Sequence, residues 1–221
     1  MSNFFFTLGV AGILTGGPFT MQPRDVTITR TASIAEFQFS SLSAQPRIFD
    51  VRVMRWTQRN GQNVLTPAPG FIVVPSVFSI DPYQTVLVRV EPRGNASPST
   101  EQSYKVVLTR VVPGAAAPPQ NARRLEAALF VPPAKPAVDP TFTLKSAGPQ
   151  RADLVVVNGG NEHIYIQNVS VADAPVAGYV LANSTQLFHL RINGPLHGTD
   201  AEVTFDDAQG RRQTARVTVS Q

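Results

Sequence analysis

The sequence predicts an all-β protein of two sandwich domains, and three observations carry that prediction. Short Val-rich runs alternate apolar with polar residues, most regularly at Val86, Val88 and Val90. Nineteen prolines and fifteen glycines fall between such runs, which is turn chemistry repeated along the whole chain. No stretch beyond about ten residues keeps a 3.6-residue apolar period, so no helix is required.

In the first half, alternation places strands at 19–29, 33–39, 49–58, 64–65, 71–74, 77–80, 85–90, 103–112 and 125–131. The run Phe49, Val51, Val53, Trp56 leads into Asn60-Gly61. Both turn residues accept positive φ at low cost, so a hairpin is expected there. Residues 113–122, rich in Pro and Ala, form a low-complexity loop ahead of the strand at 125–131. Pro132, Pro133, Pro136 and Pro140 then stiffen a connector, because proline fixes φ and removes a ladder donor.

That connector marks a domain boundary where two immunoglobulin-sized units would meet. Beyond it, strands are expected at 141–144, 153–158, 164–171, 178–181, 185–192, 201–205 and 214–219. Seven short strands in so few residues suit a second β-sandwich. The expected organisation is therefore a leader remnant at 1–17, one Ig-like domain over 18–133 and another over 134–221. The leader rests on the apolar run from Phe4 to Leu14, too short to span a bilayer. No Lys or Arg precedes that run, so an N-terminal strand, or a start site placed within a longer signal, remains the other reading of it.

Composition closes off several chemistries. Cysteine is absent, which removes disulfides, thiolate metal sites and cysteine nucleophiles. The formal charge is +4, carried mainly by scattered arginines, with Arg123-Arg124 and Arg211-Arg212 the densest groups. Such scatter suits a solvated surface better than a nucleic-acid patch, so no nucleic-acid partner is expected. The three histidines, His163, His189 and His197, form neither His-x-His nor His-Glu-x-x-His, and Gly-x-Ser-x-Gly is missing. His163 is expected to be a turn residue or a satisfied side chain rather than a ligand, and Asp206-Asp207 a solvated hairpin turn. No catalytic residue, metal site or cofactor is expected, and the chain is not expected to be an enzyme.

A set of short motifs in a fixed order says more. In the first half they are Gln22-Pro23-Arg24, Trp56-x-Gln58-x-x-Gly61, Pro75, Phe78, Pro82, Arg89, Glu101-x-Ser103-Tyr104-Lys105 and Leu129-Phe130-Val131-Pro132-Pro133. In the second they are Asp153 to Asn158 followed by Gly159-Gly160-Asn161-x-His163, then Gly178-Tyr179-Val180-Leu181-Ala182. Together they resemble the periplasmic chaperones of chaperone–usher pilus assembly, closest to the archaic-pilus branch. The resemblance covers nearly everything after residue 18. It implies two Ig-like domains in a boomerang arrangement, a periplasmic location, and pilus subunits and an outer-membrane usher as partners. Self-association through exposed strand edges is a further implication.

It also implies donor-strand complementation, in which the last strand of the first domain completes a subunit's unfinished sandwich. Main-chain hydrogen bonds give affinity in such a pairing, and alternate side chains fill pockets. In this chain the donor would be the strand with Leu125, Ala127 and Leu129 as an apolar comb. Burying that comb would supply roughly 3–6 kcal/mol before ordering costs. The same three positions read equally well as this domain's own core. A basic pair would hold the subunit's C-terminal carboxylate, and Arg24 matches one member. Ala128 stands where the other is expected. Either Arg123 or Arg124 reaches in, Arg24 works alone, or the anchoring differs. The alternative function is a secreted two-domain structural or adhesive module whose strands serve only their own cores.

Overall fold

A computed structural model of the chain describes residues 9–10, 13–15, 17–29, 33–94, 98–112, 114, 124–194, 196 and 200–220. Among them are nineteen β-strands and no α-helix. The chain divides into two compact units. One gathers Met1–Trp56, Leu65–Pro98 and Gln102–Pro132; the other gathers Thr57–Val64, Ser99–Glu101 and Pro133–Gln221.

The first unit is built on β1 (Gly9–Val10), β2 (Leu14–Thr15), β3 (Phe19–Gln22), β4 (Asp25–Thr27), β5 (Ala35–Ser41), β6 (Arg47–Arg59), β7 (Gln62–Pro67), β8 (Phe71–Val74), β9 (Val77–Ile80), β10 (Thr85–Pro92), β11 (Gln102–Val111) and β12 (Arg124–Val131). One sheet runs β1-β4-β12-β11-β6-β7, with β9 also paired to β6; the second runs β2-β3-β5-β10-β8. The two-residue period decides which face each strand buries. On β5, Ala35, Phe37 and Phe39 point inward while Glu36 and Gln38 stay exposed. Val88 sits opposite Phe37 on β10, so both strands send apolar residues to the same core. Phe19, Phe39, Phe49 and Phe78 fill its centre, with ring centroids 4.6–6.0 Å apart.

The single strand expected over 19–29 is two strands in two sheets. β3 pairs with β5, whereas β4 pairs in parallel with β12. Pro23 lies between them and has no N–H to give a ladder, so the chain leaves one sheet there and enters the other. The Asn60-Gly61 turn forms as expected, with φ of 51° and 72°. Of the expected leader remnant, residues 1–8, 11–12 and 16 lie outside the described residues. Of the rest, Gly9–Val10 pairs with β4 and Leu14–Thr15 with β3. The loop at 113–122, apart from Gly114, and Arg123 also lie outside the described residues, as does His197.

The second unit carries β13 (Pro140–Gly148), β14 (Arg151–Asn158), β15 (Ile164–Val169), β16 (Gly178–Val180), β17 (Ser184–Arg191), β18 (Asp200–Asp207) and β19 (Arg212–Ser220). Their order is β16-β15-β18-β19-β13-β14-β17. β13 and β19 join in parallel at Leu144 and Val219, and the other pairs are antiparallel. Leu144, Leu154, Val156, Ile164, Ile166, Val203 and Phe205 are core residues here.

Buried polar side chains knit this unit, and several belong to the ordered motifs. Gln58 donates from Nε2 to the Tyr179 carbonyl (2.8 Å) and accepts from the Leu181 amide (2.9 Å). Asn158 donates to the Glu162 carbonyl at 2.7 Å and accepts from the Gly160 amide at 3.0 Å. His163 Nδ1 lies 2.7 Å from Glu101 Oε2, with both side chains buried, so it is the satisfied residue expected. Asp207 corrects an expectation: it is buried, not solvated. It accepts from the Arg211 amide (2.9 Å) and Arg211 Nε (2.7 Å), closing the β18–β19 turn from inside.

Candidate functional site

The outer edge of β12 and the charges beside it form the candidate site, all within the first unit. On one side β12 pairs with β11 along its whole length, from Thr109↔Arg124 to Gln102↔Val131. On the other side β4 runs parallel and covers only Ala128, Leu129 and Phe130. The Ala128 amide donates to the Arg24 carbonyl (2.9 Å), and the Ile28 amide donates to the Phe130 carbonyl (2.8 Å). These bonds fix the phase of the strand. Main-chain groups alternate sides along a strand, so even-numbered residues of β12 address the β4 side. The next pair of outward groups belongs to Glu126, then Arg124, and β4 does not extend to either.

The side chains obey the same alternation, and they follow the second of the two readings the sequence left open for the comb. Leu125, Ala127 and Leu129 are buried in the first unit's own core. They hold β12 down onto its home sheet. What β12 presents at its outer edge is therefore main chain.

Arg24 stands just ahead of β4, because Pro23 ends β3 immediately before it. Its Nε lies 3.0 Å from Asp25 Oδ2, and its side chain is about one-quarter exposed (24%). Arg24 therefore sits where β4 meets the stretch of β12 that β4 does not cover. Ala128 carries no charge, but its cross-strand neighbour on β11 does. Lys105 pairs directly with Ala128 on one side and with Met54 of β6 on the other. Directly opposed residues share a face, so the Lys105 side chain occupies the face of Ala128. Its Nζ lies 3.9 Å from the centroid of the Trp56 ring, a contact that contributes on the order of 1 kcal/mol.

Burial lowers the pKa of Lys105 from 10.5 to about 8. Glu126 and then Asp25 oppose that shift, while the Arg24 charge adds to it. Two cations and two carboxylates thus share one half-buried patch. Lys105 was quoted in the motif Glu101-x-Ser103-Tyr104-Lys105, yet nothing in the sequence tied it to Ala128. The register between β11 and β12 does.

Among the described residues, no group of three or more His, Asp or Glu side chains could hold a metal ion.

Neither a family model nor a curated protein matches the chain. Solved structures do. The complex of the CsuC chaperone with the CsuE tip adhesion subunit, from the archaic chaperone–usher Csu pili of Acinetobacter baumannii, contains a chain of TM-score 0.65. It is 17% identical, and the match covers 92% of this chain and 99% of that one. The Salmonella enterica SafA pilin–SafB chaperone complex gives 0.60 at 20% identity, covering 96% and 99%. The E. coli chaperone DraB gives 0.59 at 18% identity, covering 91% and 95%. The fold is the one these solved structures share. Its all-β, two-unit architecture is matched over nearly the full length of each of these proteins.

Proposed function

We propose that this chain is a periplasmic assembly chaperone. It binds pilus subunits whose own sandwich lacks a strand, and delivers them to an outer-membrane usher. The single observation that carries the proposal is the outer edge of β12 at Arg124–Ala127, which among the described residues pairs with no strand beyond the reach of β4, and which Arg24 flanks. A naked strand edge is an aggregation hazard unless it has a use, and pairing with a guest strand is that use. The fold likeness supports the same assignment, since two of the matched structures are complexes of chaperones with a pilin or tip subunit.

In this proposal the strand holding Leu125, Ala127 and Leu129 is the donor, and Arg24 anchors the guest's terminal carboxylate. The three apolar side chains fix the strand's position, and the Glu126 and Arg124 main-chain groups make the ladder. An arginine suits the anchoring role because its guanidinium can meet a carboxylate through two parallel hydrogen bonds. The work is binding and handing over, with no bond made or broken.

The test is co-production of the full chain with a pilin subunit lacking its last strand, followed by co-purification. Wild type is expected to yield a one-to-one complex. Arg24→Ala removes the anchor and Glu126→Pro removes an outward amide, so each is expected to lower the yield several-fold. Glu126→Pro leaves the β11 ladder intact, because that amide faces the other way. No complex with wild type, or full yield with both variants, would point instead to a structural module that keeps its strands to itself.

A further inference from the structure

We infer that the outer edge of β8 pairs with the same edge of a second copy of this chain, across a two-fold axis at Val73. This goes beyond the chaperone proposal and does not depend on it. β8 ends the sheet β2-β3-β5-β10-β8, whereas β12 lies in the other sheet of the first unit.

Among the described residues, no strand pairs with the outer side of β8. The Arg93 amide donates to the Gly70 carbonyl at 2.8 Å, one rung beyond the Phe71↔Pro92 pair. Alternation then turns the main-chain groups of Ile72 and Val74 toward β10, and those of Phe71 and Val73 toward the open side. The side chains on the outer face are apolar. Ile72 is 43% exposed and Val74 57%, with Leu87 of β10 (38%) diagonal to Val74. β8 carries no charged residue, the common guard of a free edge.

The edge that fits this one is its own copy, because one alignment serves main chain and side chains together. With Val73 opposite the partner's Val73, each amide donates to the other's carbonyl. Ile72 then falls opposite the partner's Val74 on a shared outer face. Centring on Phe71 would set Ile72 against the partner's Gly70 and leave Val74 in water, and centring on Pro75 offers no amide. Charge agrees with the Val73 centre. Glu91 is opposite Ile72 on β10, and Arg89, which also holds Glu36 at 2.8 Å, is opposite Val74. Each rung across the seam therefore runs from Glu91 through Ile72 and the partner's Val74 to the partner's Arg89. Acid closes one end and base the other, so like charges never share a rung. Pro69 and Pro75 bound the seam, which falls short of the roughly 1,200–2,000 Å² of a stable complex. Association is accordingly weak and reversible, with a Kd on the order of 100 μM.

The experiment is sedimentation equilibrium of the full chain from about 10 μM to 1 mM, with wild type, Ile72→Lys/Val74→Lys and Ile72→Lys/Val74→Glu. Wild type should pass from monomer to dimer over that range, and exchange of its Val73 amide should slow as concentration rises. Ile72→Lys/Val74→Lys sets lysine against lysine on both rungs and should weaken association at least tenfold. Ile72→Lys/Val74→Glu sets lysine against glutamate on both and should dimerise again, now sensitively to salt. Both variants replace exposed side chains, and equal thermal melts check that they fold. Monomeric wild type at 1 mM, or undiminished association of the Lys/Lys variant, would overturn the proposal. So would a Lys/Glu variant as monomeric as the Lys/Lys one, which would refute the register. Affinity of the Lys/Lys variant for a strand-deficient pilin subunit should equal that of wild type. Its loss would assign the β8 edge to the guest instead of a second copy, leaving the chaperone proposal intact.

Discussion

Glu162 shows how far single residues in this chain depart from their solvated behaviour. It lies buried in the second unit, accepting from Gln209 Nε2 at 2.8 and 3.0 Å. Burial raises its pKa above 4.5. Gln209 and His163 oppose the shift, and the Glu101 and Asp207 carboxylates reinforce it. A carboxyl whose folded pKa is raised stabilises the fold below its unfolded pKa, and that contribution disappears as pH climbs through the folded value. Glu162 is therefore expected to contribute stability to the second unit below about pH 4.5, and that contribution fades as pH rises through its raised folded value. Calorimetric unfolding of wild type and Glu162→Gln across pH 4–8 checks this: the variant should show the shallower slope. Residue identities alone reveal none of this, because Glu101, Glu162 and Asp207 are far apart in sequence and only the folded backbone gathers them.

At the scale of elements, the β14–β15 turn explains why its residues recur as a motif. The Gly159 amide donates to the Asp139 carbonyl and the Asn161 amide to the Ala137 carbonyl, both at 2.9 Å. This draws the turn tightly against the connector at 137–139. A Cβ on Gly160 would fall 2.7 Å from Val138 Cα and 2.8 Å from the Asp139 amide nitrogen. Backbone cannot yield to that, so Gly160→Ala is expected to destabilise the second unit by about 3 kcal/mol or more, read from its denaturant midpoint. Gly159-Gly160 was legible as a turn, but its need for bare backbone was not, since the crowding comes from residues twenty positions upstream. Elsewhere alternation served well: β5, β10 and the Asn60-Gly61 hairpin all follow from local pattern. It failed at 19–29, where a run that alternates throughout is divided between two sheets. The site divided the same way. Arg24 of the proposed site was legible beside Pro23, whereas the pairing of Lys105 with Ala128 needed the β11–β12 register, which no local pattern encodes.

For the whole molecule, the division into two units does not follow the chain. The second unit draws on Thr57–Val64 and Ser99–Glu101 as well as everything from Pro133 onward. Those two short pieces bring Gln58 and Glu101. Without them the Tyr179 carbonyl, the Leu181 amide and the buried His163 ring each lose a hydrogen-bond partner. A buried polar group left without its partner costs about 1–3 kcal/mol. A fragment of residues 133–221 is therefore expected to be much less stable than the same residues in the full chain. Its circular dichroism melt should show a broad, early transition, and a sharp transition at the full-length temperature would count against this account.

β4 begins at Asp25, and in the chaperone proposal that end of the strand has a mechanical consequence. Any foreign strand laid along β12 slides only until it butts against this terminus, as a drawer meets its back panel. The number of rungs on offer is then set by the host, and so is the phase in which an arriving chain must sit. Because a shift of one residue would turn every guest side chain to the wrong face, a fixed end-stop selects alignment without having to recognise any particular guest residue.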